Sequence, residues 1–171
     1  MRPRLRLVHS QRKHCADEMD RLLDRLASPE GKAEHRDVEI LQSLPGVGRF
    51  VSVTVLAEAS SALADRDYTA LRGLSGIAPV TRQSGKSRIV SMRRGCNGRL
   101  RNAFYHWARV ASQSDAPSRR YYDRLRARGH KHGRALRSLA DRLLRVLVAM
   151  LKASALYDTD RAAQSVAKAG A

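Results

Sequence analysis

Residues 133–157 read GRALRSLADRLLRVLVAMLKASALY, and their spacing predicts the longest helix of the chain. Leu136, Leu139, Leu143, Leu147 and Met150 recur every three or four residues, so they line one face of a helix laid on a core. Two further helices lead into it. Asn97 is placed to cap a helix carrying Leu100, Phe104, Trp107 and Ala111 on one stripe. Asp115-Ala116-Pro117 then opens a helix through Tyr121, Tyr122 and Leu125, closed by Gly129. Trp107 is expected in the core, with Phe104 and the 139–147 face of the last helix around it.

Upstream, the helical period continues in shorter pieces. Residues 11–27 set Cys15, Met19, Leu22, Leu23 and Leu26 on one stripe, and Ser28-Pro29-Glu30-Gly31 breaks it. A helix over 34–43 turns Val38, Leu41 and Leu44 inward, and Leu44-Pro45-Gly46-Val47-Gly48 makes a tight turn. The next helix, over about 49–60, buries Val51, Val55 and Leu56, and Asp65 or Asp67 caps a short one through Leu71, ended by Gly73 and Gly76. Between 77 and 92 the pattern changes. Pro79, Val80, Thr81, Ile89 and Val90 flank Ser84-Gly85-Lys86, which reads as a short hairpin or an extended loop. The fold class is mostly α: a helical domain with a helix-hairpin-helix and one short hairpin. Behind the amphipathic helical segment of residues 1–36, residues 37–158 read as the domain and 159–171 as a frayed tail.

The charge is segregated. The 171 residues hold 33 Lys+Arg against 16 Asp+Glu, a net of +17, and 27 of the basic residues are Arg. Residues 81–145 alone hold 18 basic and 3 acidic residues, a net of +15. The other 106 residues are nearly balanced at +2. Solubility does not require such a division, whereas a polyanion footprint does. Arginine also pairs bidentately with phosphate and stacks on bases. A nucleic acid is therefore the expected partner. No run approaches the roughly 20 apolar residues of a membrane span, so no membrane partner is expected. Arg2, Arg4 and Arg6 are interleaved with only Leu5, Leu7 and Val8, too few for a signal sequence, so the cytoplasm is the expected location. Cys15 and Cys96 form no CxxC pair and no disulfide framework.

Two motifs carry chemistry. In the first, Gly46, Val47, Gly48 and Arg49 begin a helix, where glycines let backbone approach phosphate and free N–H groups bind it. An ordinary tight αα-turn selects the same glycines. In the second, Ser84 lies among Arg82, Lys86, Arg88, Arg93 and Arg94, with Arg99 and Arg101 further candidates for nucleic-acid contact. A serine hydroxyl attacking a phosphodiester needs its developing charge neutralised by cations. Ser-Gly is also a common turn dipeptide, so the residues alone leave both readings open. His106-x-x-Arg109 shares a helix with the core Trp107, and Tyr121 follows it too soon for a recombinase tyrosine. His130 and His132 fit phosphate contact better than a metal, and Asp65 and Asp67 fit caps better than a magnesium pair. No metal site is expected.

The order of these features resembles the carboxy-terminal domain of the insertion-sequence transposases of the IS110, IS116 and IS902 group. The resemblance rests on 44–48, then Gly76-Ile77-Ala78-Pro79, 83–86, Gly95 to Leu100-Arg101, Tyr122-x-x-Leu125 with Gly129, and 143–158. It covers residues 41–158. It implies bacterial DNA transposition with Ser84 as the catalytic serine, a structured guide (bridge) RNA, a homo-oligomer and association with the nucleoid. It also implies a separate RuvC-like amino-terminal domain that binds magnesium. On that reading these 171 residues are a fragment, carry no cofactor and are inactive alone, and residues 1–36 belong to the coiled-coil-like connector. The alternative is a non-catalytic helix-hairpin-helix protein that only binds DNA or structured RNA.

Overall fold

Three side-chain caps start three of the helices, each where the sequence places a cap. Asp67 accepts from the backbone N–H of Thr69 and Ala70, Asn97 from Arg99 and Leu100, and Asp115 from Ser118. A computed structural model describes residues 3–27 and 34–158. Its elements run α1 (Pro3–Leu26), α2 (Glu34–Ser43), α3 (Arg49–Glu58), α4 (Ser60–Ala64), α5 (Tyr68–Leu74), β1 (Val80–Ser84), β2 (Ser87–Ser91), α6 (Gly98–Ser114), α7 (Ala116–Ala127) and α8 (His132–Ala153). The chain is thus mostly helical with one two-stranded antiparallel hairpin. The expected break at 28–31 and the tail at 159–171 lie outside the described residues.

The core forms where α6 is gripped between α3 and α8. Leu100, Ala103, Phe104, Trp107, Ala108 and Ala111 are all but fully buried on one face of α6. Leu136, Leu139, Leu143 and Leu147 meet them from α8. Val51 and Val55 come from α3, with Leu56 half-buried beside them, while Ile40, Leu41 and Leu44 close the end under α2. Trp107 is fully buried, and its indole Nε1–H donates to the Pro45 carbonyl at 2.9 Å. Its ring tilts against Phe104 at 5.4 Å. The expected register of α6 and α8 is the observed one.

The turn at 44–48 is shaped by this packing. Gly46 adopts φ +79°, and a Cβ there would lie 2.6 Å from the Ala111 nitrogen. The close approach that requires glycine is therefore to the α6 backbone. At Gly48 an added Cβ meets nothing within 4 Å. Gly46→Ala is expected to cost about 1–3 kcal/mol from overpacking, before any left-handed strain. Gly48→Ala meets no clash but loses a favoured N-cap residue of α3, and should cost less, under about 1 kcal/mol. Equal urea midpoints for the two variants would contradict this packing.

Four boundaries differ from the sequence expectation. α1 begins at Pro3 rather than near residue 11, and of its apolar stripe only Leu23 is buried, while Leu22 and Leu26 are each 43% exposed. The predicted helix over 49–60 ends at Glu58, and a separate α4 follows. It closes on Arg66, a non-glycine at φ +52°, whose guanidinium holds Asp37 through two bonds of 2.6 and 2.7 Å. α5 runs through Gly73 to Leu74. α8 stops at Ala153, not Tyr157. Ser154 turns left-handed at φ +48°, Ser154 N–H donates to Leu151 O and Ala155 N–H to Met150 O. That is a Schellman closure with serine where glycine is usual. Gly129 closes α7 in the same way, as its sequence position predicts.

Candidate nucleic-acid interface

β1 and β2 pair in the register Val80↔Ser91, Thr81↔Val90, Arg82↔Ile89, Gln83↔Arg88 and Ser84↔Ser87. Strand alternation puts Arg82 and Ser84 on one face of the ribbon, with Ile89 and Ser87 directly opposite them. Gly85 takes φ +53° at the first position of the two-residue turn, where glycine carries no steric cost, and Lys86 is the second. Ser84 is exposed at the tip of the ribbon, and residues 81–87 are exposed throughout. Ile89 and Val90 are 62% and 59% exposed, so hydrophobic burial does not explain their place here. The hairpin projects outward from the helical body.

The other expected basic residues are divided among different tasks. Arg94 is exposed, whereas the Arg93 Nε is buried without a hydrogen-bond partner. Arg99 donates to Glu58 at 3.1 Å, and Asn97 Nδ2 donates to the same carboxylate at 2.6 Å. These bonds, Asn97 first and Arg99 second, hold the Glu58 carboxyl below the ordinary carboxylate range. They also pin the start of α6 to the end of α3. Arg101 is half-buried with its guanidinium 3.7 Å from the Cys96 sulfur. Arg49 is tied to α1 through Asp20 at 2.6 Å and the Ala16 carbonyl at 3.0 Å. Gly46 and Val47 are half-buried, and Gly48 precedes α3 as an exposed N-cap with no side-chain cap bond. Arg88 contributes its backbone to the ribbon opposite Gln83.

The family description "Transposase IS116/IS110/IS902 family" matches residues 38–123 of this sequence. The chain belongs to that transposase family. The matched stretch runs from α2 into α7, so it contains both the 44–48 turn and the Ser84 hairpin. Among relatives of this chain is the mini-circle putative transposase for IS117 of Streptomyces coelicolor. It is 38% identical over 142 residues, which are 81% of this chain and 34% of that protein. The insertion element IS900 uncharacterized 42 kDa protein of Mycobacterium paratuberculosis is 42% identical over 129 residues, 72% of this chain and 31% of its own length. The insertion element IS110 uncharacterized 43.6 kDa protein of Streptomyces coelicolor is 33% identical over 156 residues, 91% of this chain and 36% of its own. The chain spans about a third of the length of the curated relatives it matches.

Two clusters in this chain escaped sequence reasoning. In the first, Asp141 on α8 accepts from Arg72 Nε at 2.7 Å and from the Tyr68 hydroxyl at 2.6 Å. Arg145 reaches the same hydroxyl at 3.3 Å, and the guanidiniums of Arg72 and Arg145 lie 5.9 and 5.5 Å from the Tyr68 ring centroid. Burial, then the bond to Asp141, pushes the Tyr68 phenol above its ordinary pKa. In the second, His132 joins Tyr122 at 2.7 Å and Tyr105 at 3.5 Å. Both clusters unite residues from separate helices, and no spacing along one helix announces them.

A magnesium ion does not fit the carboxylates of this region. Within residues 81–145, Asp115 is spent as the α7 cap, Asp141 on Arg72 and Tyr68, and Asp123 stands exposed on α7. Among the described residues no three His, Cys, Asp or Glu side chains converge on a cation site. No helix there is long and apolar enough to cross a membrane.

Proposed function

We propose that this chain is the DNA-binding and strand-joining part of an insertion-sequence transposase, with Ser84 as the nucleophile. The observation that carries this reading is the projecting ribbon, which presents Ser84 at its tip with Arg82 on the same face and Lys86 beside it. In the step proposed, Ser84 Oγ forms a bond to phosphorus and the bond from phosphorus to one deoxyribose oxygen breaks. The serine proton passes to solvent and the released oxygen takes one up. Arg82 and Lys86 offset the charge gathering on the phosphoryl oxygens. DNA is held by the arginine-rich stretch 81–145, a structured guide RNA that pairs with the DNA is a second partner, and the protein works at the nucleoid.

Binding should be phosphate-dominated and steeply salt-dependent. Duplex affinity is expected to fall by about 10³–10⁵-fold between about 50 and 200 mM salt if six to ten phosphates are contacted. Titration of a labelled duplex by fluorescence anisotropy measures this. An affinity that does not change with salt contradicts the reading.

The working unit is a homo-oligomer built on α1. Leu5, Val8, Arg12, Cys15, Met19, Leu22 and Leu26 alternate at spacings of three and four, a coiled-coil seam. Leu23, at the edge of the stripe, is buried against the body instead. Leu5 and Val8 are 55% and 59% exposed and Cys15 is exposed, so this seam is uncovered. Under a mild oxidant Cys15 should yield disulfide-linked dimers on non-reducing gels, and Cys15→Ser should yield none. Monomer only, at micromolar protein, contradicts the coiled coil.

A further inference from the structure

At the foot of the hairpin two adjoining cavities open, of about 300 and 250 Å³. They share Gly76, Ile77, Met92 and Arg137. Their characters differ. The smaller has a buried apolar floor of Ile77, Phe104, Leu136 and Ala140, with Asn102 and Tyr105 at its rim. The larger is polar and carries Arg134 and Arg137, one turn apart on α8, beside the Arg72–Asp141 pair.

These features define what fits. A 250 Å³ apolar cavity is small for most ligands but has room for one flat heterocycle. The arginines next door call for an anion attached to it. Arg72 is already paired, but the Arg137 guanidinium rests on the Met92 sulfur at 3.0 Å, a weak acceptor that leaves its donors available. Arg134 is exposed. Tyr105 is held at the rim by His132, which Tyr122 holds in turn. Met92, the partition between the cavities, is a flexible thioether 42% exposed to solvent. It directly follows the strand that pairs with the one carrying Ser84.

We propose that this cleft receives a single nucleotide turned out of the DNA stack, its base in the apolar cavity and its phosphate on Arg134 and Arg137. The proposal rests on the DNA-binding reading above. Extruding a paired base costs stacking and pairing energy, and a base that is already unpaired spares it. The chain should therefore bind a duplex bearing one bulged adenine at least about tenfold more tightly than the paired duplex, each tenfold being about 1.4 kcal/mol.

The test compares the two duplexes in the full chain and in two variants that plug the cavity. Gly133 lines it, and a Cβ there meets nothing within 4 Å, so Gly133→Leu fills space without strain at its first atom. Asn102→Trp closes the rim from α6. Circular dichroism establishes that each is folded, and either one that folds suffices. The expected result is a bulged-to-paired affinity ratio of about ten or more in the wild type, falling towards one in the variant. Equal affinities in the wild type, with steep salt dependence retained, overturn the nucleotide site and leave DNA binding intact. A preference that survives in the folded variant places the base elsewhere and also overturns it. Failure to bind either duplex overturns both this proposal and the reading beneath it.

Discussion

Trp107→Ala is expected to lower the stability of the chain by about 3–5 kcal/mol. The indole is fully buried between α3, α6 and α8, and its Nε1–H satisfies the Pro45 carbonyl at 2.9 Å. Truncation thus opens a cavity at the centre of the core and leaves that carbonyl without its donor. Folded domains are stable by only about 5–15 kcal/mol, so the loss is a large fraction of the whole. In a chain of this size each kcal/mol lowers Tm by about 2–4 °C, which makes a fall of about 6–20 °C the expected reading by circular dichroism. Trp107→Phe keeps most of the volume and loses the hydrogen bond, and should cost less. Because Trp107 is the single tryptophan, its emission in the wild type should be that of a buried indole and should shift to the red at the same urea midpoint. An unchanged Tm in Trp107→Ala would mean that α6 does not sit as described.

The fold was legible wherever a local rule acts alone. Asp67, Asn97 and Asp115 cap their helices because their side chains reach N–H groups two or three residues on, a relation visible in sequence. The apolar periods of α6 and α8 place Trp107, Phe104 and Leu139 correctly for the same reason. Errors arose where distant partners decide. α8 ends at Ala153 although Ala155, Leu156 and Tyr157 continue its period, because Ser154 turns left-handed and Arg36 from α2 donates to its carbonyl at 3.0 Å. The α1 stripe is genuine, yet Leu22 and Leu26 stay exposed, since within one chain only the adjacent Leu23 finds the core. The hairpin at Ser84-Gly85-Lys86 was legible from its turn residues. Which of the surrounding arginines are tied up elsewhere in the fold was not. Neighbours in sequence such as Arg99 and Arg101 are engaged with Glu58 and Cys96. Arg72, Arg134 and Arg137 meet at the ribbon's foot from two helices far apart in the chain.

The second large effect concerns chemistry. These 171 residues alone are expected to complete no strand exchange, with or without magnesium. A phosphoryl transfer needs its leaving oxygen stabilised as well as its nucleophile placed. Of the three carboxylates in 81–145, Asp115 and Asp141 are committed within the fold, and Asp123, exposed on α7, does not join two others in a cation site among the described residues. Supplied with a full-length relative in a mixed oligomer, the chain should contribute its serine to joined products. Ser84→Ala should then abolish that contribution, a loss of several orders of magnitude. Ser87→Ala is the matched control, because Ser87 stands directly opposite on the same face of the ribbon. Robust magnesium-dependent exchange by the isolated chain would require a different active site.

The most direct test of Ser84 uses a full-length relative whose own corresponding serine is replaced by alanine, mixed with this chain and a nicked DNA that traps covalent intermediates. Nuclease digestion and peptide mass spectrometry then locate the attached nucleotide. The account predicts a phosphonucleotide on the peptide containing Ser84, present with Ser87→Ala and absent with Ser84→Ala. Joined DNA formed with the nucleotide on Ser87 or a tyrosine, or formed equally well by Ser84→Ala, would contradict it.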